Sequence, residues 1–178
     1  AVGLEFVPSQ YQNILDAFLS KQLIESEFLE EIKYNSNWGF PWEHYRLILD
    51  FCRGNSIQAL ALNSRNESLY NRDAHAAKVI TEWVQSHPNQ KLIILYGDLH
   101  LARAHLPKYL RLELTARRLT KKTLVIYQNS ESLYWRLAAN QQEHQADVLE
   151  LGKNRFCIMN APPWVKLLSF LEWAERSK

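Results

Sequence analysis

Two periods of hydrophobic and polar positions share this chain. Short, mostly apolar runs carry the strand signature: VGLEF (2–6), IQALALN (57–63), KLIILYG (91–97) and TLVIYQN (123–129). Between them the apolar residues recur at helical spacing, as Tyr11, Ile14, Leu15, Phe18 and Leu19, then Phe28, Leu29 and Ile32. A better-marked helix follows, with Pro41 suited to its first turn, Trp42, Tyr45, Leu49 and Cys52 along one face, and Gly54 as its stop. A helix capped near Asn71 ends before Pro88, and another starts near Pro107 and runs to Leu114. After the fourth strand, Ser130 is the expected N-cap of a short helix. Two further strands join at Gly152-Lys153-Asn154, a hairpin signal. The last helix should turn Trp164, Leu167, Leu168 and Leu171 inward.

Strands alternating with helices predict an α/β fold, with a central, mainly parallel sheet, helices on both faces, and a C-terminal β-hairpin and helix. A chain of 178 residues suits a single domain over 1–178, and no linker, repeat or low-complexity segment interrupts it. Composition adds little, since 47% hydrophobic and 22% charged residues are those of ordinary globular material. Charge adds an exclusion. The net value is +2 with scattered basic residues, which argues against a nucleic-acid partner, and the densest run, Ala116 to Lys122, reads as a solvated face. No apolar stretch is long enough to span a bilayer. The first residue is Ala1, so a leader or N-terminal segment is expected to be missing. A removed leader would make the protein a cell-envelope lipoprotein; otherwise it would be cytoplasmic. Cys52 and Cys157 each lie amid apolar residues and are expected as buried free thiols.

The chemistry gathers at strand ends. Glu5 lies in the first strand, Asn63 and Arg65 end the second, and Gly97-Asp98-Leu99-His100 ends the third. In open α/β sheets ligands sit beyond the carboxyl ends of the strands, so parallel strands would bring these groups together. Imidazole and carboxylate together suit a transition metal, and glycine lets the backbone turn the histidine towards a cleft. A carboxylate in an apolar strand needs a partner; for Glu5 that is a metal, Arg65 or Arg72. Arg72 is also placed to clamp a ligand carboxylate. Asp98 either orients His100 or caps the following helix, and His105 reads as a loop residue. Tyr45 and Trp42 fit core positions, although Trp38 and Trp42 also suit a pocket for a flat ligand.

VGLEF, WGFPWEHYRLIL, LNSRNESLYNRDAHAAKVI and YGDLHLARAHLP stand in the order seen in the ChaN-like haem-binding uptake proteins, a family grouped with Tiki, TraB and the erythromycin esterases. The resemblance runs from Val2 to about Pro107. It implies an α/β fold and a signature of paired Gly-x-x-His motifs plus a glutamate. Gly97 to His100 resembles the second motif, and Glu5 the glutamate. The first motif, on a strand before VGLEF, is not in the chain, so an N-terminal strand is expected to be missing. ChaN-type relatives imply haem as cofactor, a tyrosine and a histidine at the iron, and homodimers with haem between subunits. On this chain His100, Tyr45, Arg72 and Trp42 would then contact the cofactor, and the tryptophan-rich WGFPWEHY inclines the reading that way. Tiki-type and esterase-type relatives imply instead a hydrolase, with a divalent transition metal on His100, Glu5 and Asp98 and the absent motif's histidine completing the site. A non-catalytic binding member is the third reading, so whether the chain is an enzyme stays open.

Overall fold

The computed structural model describes residues 1–38, 40–64, 67–144 and 147–176, without the side chains of 166, 169, 170, 173 and 176. Its contacts gather into two compact units, Ala1–Thr120 and Lys121–Lys178. The first is built on three parallel strands, β1 (Val2–Pro8), β2 (Ala59–Asn63) and β3 (Ile93–Leu95), in the order β2-β1-β3. Val2 pairs with both Ala59 and Ile93, so the carboxyl ends of all three strands lie on one edge. β1, the central strand, is buried along its whole length, as expected when helices cover both faces of a parallel sheet. Gly3 sits in close packing: a methyl there would come within 2.7 Å of Leu62 Cδ1, so that buried side chain would have to shift.

On one face α1 (Gln12–Leu19), α2 (Glu25–Glu31), α3 (Tyr34–Asn37) and α4 (Glu43–Gly54) pack Leu15, Phe18, Phe28, Ile32, Tyr34 and Leu49 against Leu4, Phe6 and Ala61. α4 ends at Gly54 as its sequence predicts, but it is Ser56 that takes the left-handed conformation, at φ 53°. On the other face α5 (Leu69–Ser86) and α6 (Leu106–Ala116) set Ala76, Ala77, Ile80, Leu106, Leu110 and Leu114 against Leu60 and Leu62. Ser68 caps α5, its hydroxyl accepting from the Asn71 amide at 3.3 Å, three residues ahead of the expected start. Cys52 is free and buried, as is Cys157 in the second unit.

The parallel sheet stops at three strands. The fourth apolar run, β4 (Val125–Gln128), pairs in parallel with β6 (Arg155–Ile158), which pairs antiparallel with β5 (Val148–Gly152). α7 (Glu131–Ala138) and α8 (Pro163–Arg176) complete this second unit. The hairpin turns where expected, with Gly152 and Asn154 both at positive φ. The closing helix departs from expectation, because Trp164, Leu167, Leu168 and Leu171 are all exposed. Their spacing forms a stripe, but periodicity alone does not say what covers it. No helix among the described residues is long and apolar enough to cross a membrane.

Leu4 and Leu168 should therefore respond differently to truncation. Leu4→Ala opens a fully buried site and should lower unfolding free energy by about 2–5 kcal/mol in urea titration. Leu168→Ala, at a position 56% exposed, should change it by less than about 0.5 kcal/mol.

Candidate functional site

The carboxyl edge of the parallel sheet holds a connected cluster of charged side chains. Glu5 is its centre. Its Oε1 accepts from Arg72 Nη2 at 2.8 Å and lies 3.2 Å from His100 Nε2, while its Oε2 accepts from the Gly97 amide at 2.7 Å. One carboxylate thus ties β1 to α5 and to the turn after β3. Arg72 also donates through Nε to Asn63 Oδ1 at 2.9 Å, which brings in the end of β2. The convergence expected of parallel strands is present for Glu5, Asn63, Gly97 and His100. Arg65 lies outside the described residues.

Behind His100 sits Asp73, fully buried on the first turns of α5. Its Oδ1 is 2.5 Å from His100 Nδ1 and its Oδ2 is 2.8 Å from His105 Nδ1. A carboxylate only accepts, so each Nδ1 carries a hydrogen. Both nitrogens of His100 therefore face carboxylates, and its ring is almost wholly buried. His105 differs. Its ring stacks on Tyr70 with centroids 5.0 Å apart, keeps part of its surface in solvent, and has no partner for Nε2 among the described residues. Tyr96 meets the His100 ring edge-on at 4.6 Å, and its buried hydroxyl has no hydrogen-bond partner among the described residues.

Charge explains why this cluster tolerates burial. Burial pushes the Glu5 carboxyl up, but the His100 and Gly97 interactions and the charge of Arg72 outweigh it and hold the group below its ordinary 4.5. Burial pushes the His100 imidazole down, and the hydrogen bonding and charge of Glu5 and Asp73 reverse this, holding it above its ordinary 6.5. Glu5 and Asp73 thus flank the two nitrogens of His100, and Arg72 lies against Oε1 of Glu5. The Tyr96 phenol is pushed up, first by burial and then by the charge of Glu5.

The remaining sequence candidates lie elsewhere. Asp98 is exposed in the 3-10 turn Asp98–Leu101, and the carboxylate on His100 Nδ1 is that of Asp73 instead. Trp42 and Tyr45 pack on Phe6, at 6.2 and 4.6 Å between centroids. Phe6 follows Glu5 on β1, and successive strand side chains point to opposite faces, so these aromatics line the α1–α4 side of the sheet. The Tyr45 phenol is pushed up by burial, and the charge of Glu5 adds to this. Trp38 joins the same aromatic group, and the indole N–H of Trp42 is buried without a partner among the described residues. Asp73 was the residue least visible as a site candidate. Its position was a clue: it stands with Ala76, Ala77 and Ile80 on the apolar stripe of α5, where a carboxylate needs a buried partner.

With the geometry in place, comparison with known proteins adds one finding. Residues 1–71 match the family described as "Haem-binding uptake, Tiki superfamily, ChaN". Neither a curated protein nor a solved structure matches the chain. The ChaN match contains β1 and β2, with Glu5, Trp42, Tyr45 and Asn63, and stops one residue before Arg72. Asp73, His100 and His105 lie beyond it.

The donor set discriminates between the groups that the ChaN and Tiki names suggest. Among the described residues no three His, Cys, Asp or Glu side chains are grouped to hold a metal ion, and the nitrogens of His100 are committed to Asp73 and Glu5. A free ion held by His100, Glu5 and Asp98 does not fit this arrangement. Haem makes a smaller demand, because the porphyrin supplies four ligands and the protein only one or two. The free nitrogen of His105 and the exposed Tyr70 and Leu99 suit it.

Two measurements probe the cluster. Because His100 is held above 6.5 when folded, its stabilisation is complete below about pH 6.5 and is lost as pH rises through the raised value. Because Glu5 is held below 4.5, its stabilisation is present above about pH 4.5 and is lost as pH falls through the lowered value. Thermal midpoints should thus decline on the alkaline side in the wild type and flatten there in His100→Gln. Asp73→Ala removes the shared partner of two imidazoles and should cost about 3–5 kcal/mol in urea titration, as expected when one side of a buried ion pair is lost.

Proposed function

We propose that this protein is a haem-binding protein of ChaN type, acting in iron uptake, and that the ligand lies at the carboxyl edge of the β2-β1-β3 sheet. The observation that carries the reading is that the ChaN-matched segment 1–71 supplies β1 and β2, the strands whose ends hold Glu5 and Asn63 of the charged cluster. Gly97 to His100 serves here as the Gly-x-x-His motif: the glycine amide fixes Glu5, and the histidine locks the strand ends to α5. Arg72 uses Nε and Nη2 within the cluster, and its remaining donors suit a propionate at the rim. A metal-dependent hydrolase is less well supported, because it needs three protein ligands that the described residues do not group together.

Titration of the purified chain with haemin tests this reading. A saturable shift of the Soret band at one haem per chain, or one per two chains, is the expected outcome. Absence of any shift at micromolar haemin would sink it. A homodimer with haem between subunits belongs to the same reading. Sedimentation should then show the mass doubling on haem addition, whereas an unchanged monomer would remove that part alone.

A further inference from the structure

We propose that the outer face of α6, with the exposed arginines just before and just after it, is a docking surface for an anionic lipid bilayer, on which the folded chain lies without inserting a helix. The inference does not depend on the haem reading. It starts from how charge is divided within the first unit. Residues 1–98 hold eight Lys and Arg against twelve Asp and Glu, whereas 99–120 hold five against one. The basic residues are spread along the chain, but the acids that would offset them are not. Glu27, Glu30 and Glu31, among the surplus acids, are exposed on α2. α2 packs on one face of the sheet and α6 on the other, so the unit carries acids on one side and bases on the opposite side. Near a negatively charged plane such a body turns its α6 side inward.

The helix arranges these residues as a face. Leu106, Leu110 and Leu114 turn inward, so Lys108, Arg111, Leu112 and Thr115 stand together on the outer side. All four are exposed, as are Arg103 in the preceding turn and Arg118 beyond the helix end. Glu113, the one acid of this segment, is occupied by Arg117 at 3.6 Å. Arg103, Lys108, Arg111 and Arg118 make no ion pair among the described residues, whereas Arg46, Arg53 and Arg72 each meet a carboxylate. An unpaired cation keeps its full attraction for an anion from outside. Leu112, 53% exposed, stands among these cations, where a headgroup layer accommodates it and a phosphate backbone offers it no partner. The apolar side of α6 is buried in the fold, so the contact is made through charge at the bilayer surface.

Flotation of the full chain with lipid vesicles tests this. Each Lys or Arg held near an anionic surface strengthens binding by roughly fivefold, so four should favour equimolar phosphatidylglycerol–phosphatidylcholine vesicles over phosphatidylcholine alone by about a hundredfold or more. Raising salt from about 0.1 M to about 1 M shortens the screening length from about 10 Å to about 3 Å and should abolish the preference. The double variant Lys108→Gln/Arg111→Gln should bind the anionic vesicles about 25-fold more weakly, with its urea unfolding midpoint unchanged. Arg103→Gln/Arg118→Gln, outside the helix, should lose a similar factor and covers a failure of the first variant to fold. Lys21→Gln/Lys33→Gln removes the same charge from beside α1 and α3 and should bind as the wild type does. Equal binding to both vesicles, no binding to either, retention at about 1 M salt, or equal losses in all three variants overturns the proposal. Capture by duplex DNA without binding to vesicles also overturns it, and assigns the face to a nucleic acid instead.

Discussion

The Glu5 carboxylate is the interaction on which the carboxyl edge of the sheet depends. A charge buried in a central strand is unfavourable unless it is paired and hydrogen-bonded. Glu5 meets that condition by drawing on two segments: Arg72 from α5, and the Gly97 amide and His100 from the single turn after β3. Each partner is then held by a further bond, Arg72 to Asn63 and His100 to Asp73. Cluster and sheet edge are therefore one object. The strands deliver the side chains, and the side chains fix where β3 ends and where α5 sits.

Much of this was readable in the sequence, for identifiable reasons. β1 and β2 are short apolar runs because a strand buried on both faces has no other pattern available, whereas β3 and β4 carry the same apolar signature with part of their side chains exposed. Glu5 stood out because it is charged within such a run. Arg72 was a natural partner for it, because a helix following a strand in a parallel fold begins near the strand ends. The histidine's own partner was harder to find. Asp98 is two residues from His100 and Asp73 is 27 residues away, so proximity along the chain pointed to the wrong carboxylate. The chain is folded so that the distant residue is the near one. His105 reads as a loop residue from its place just before Pro107, and among the described residues its side-chain hydrogen bond runs to that same buried group.

The second unit shows where periodicity stops informing. The run at 123–129 has the strand signature and does form β4, but the pattern carries no information about which strand it joins, and it pairs with β6. The stripe on α8 is likewise real as spacing, yet its described leucines are exposed. Amphipathicity states that a face would gain by being covered. It does not name the cover. On β1 the ambiguity vanishes, because residues on both of its faces are buried and each face has its own helices.

Asp73 has both oxygens occupied, one by an imidazole inside the cluster and one by an imidazole at the surface. The inner imidazole in turn meets Glu5, so one run of contacts leads from the surface ring to the central strand. Any molecule that binds the folded chain and not the unfolded one raises its melting temperature, wherever along that run of contacts it binds.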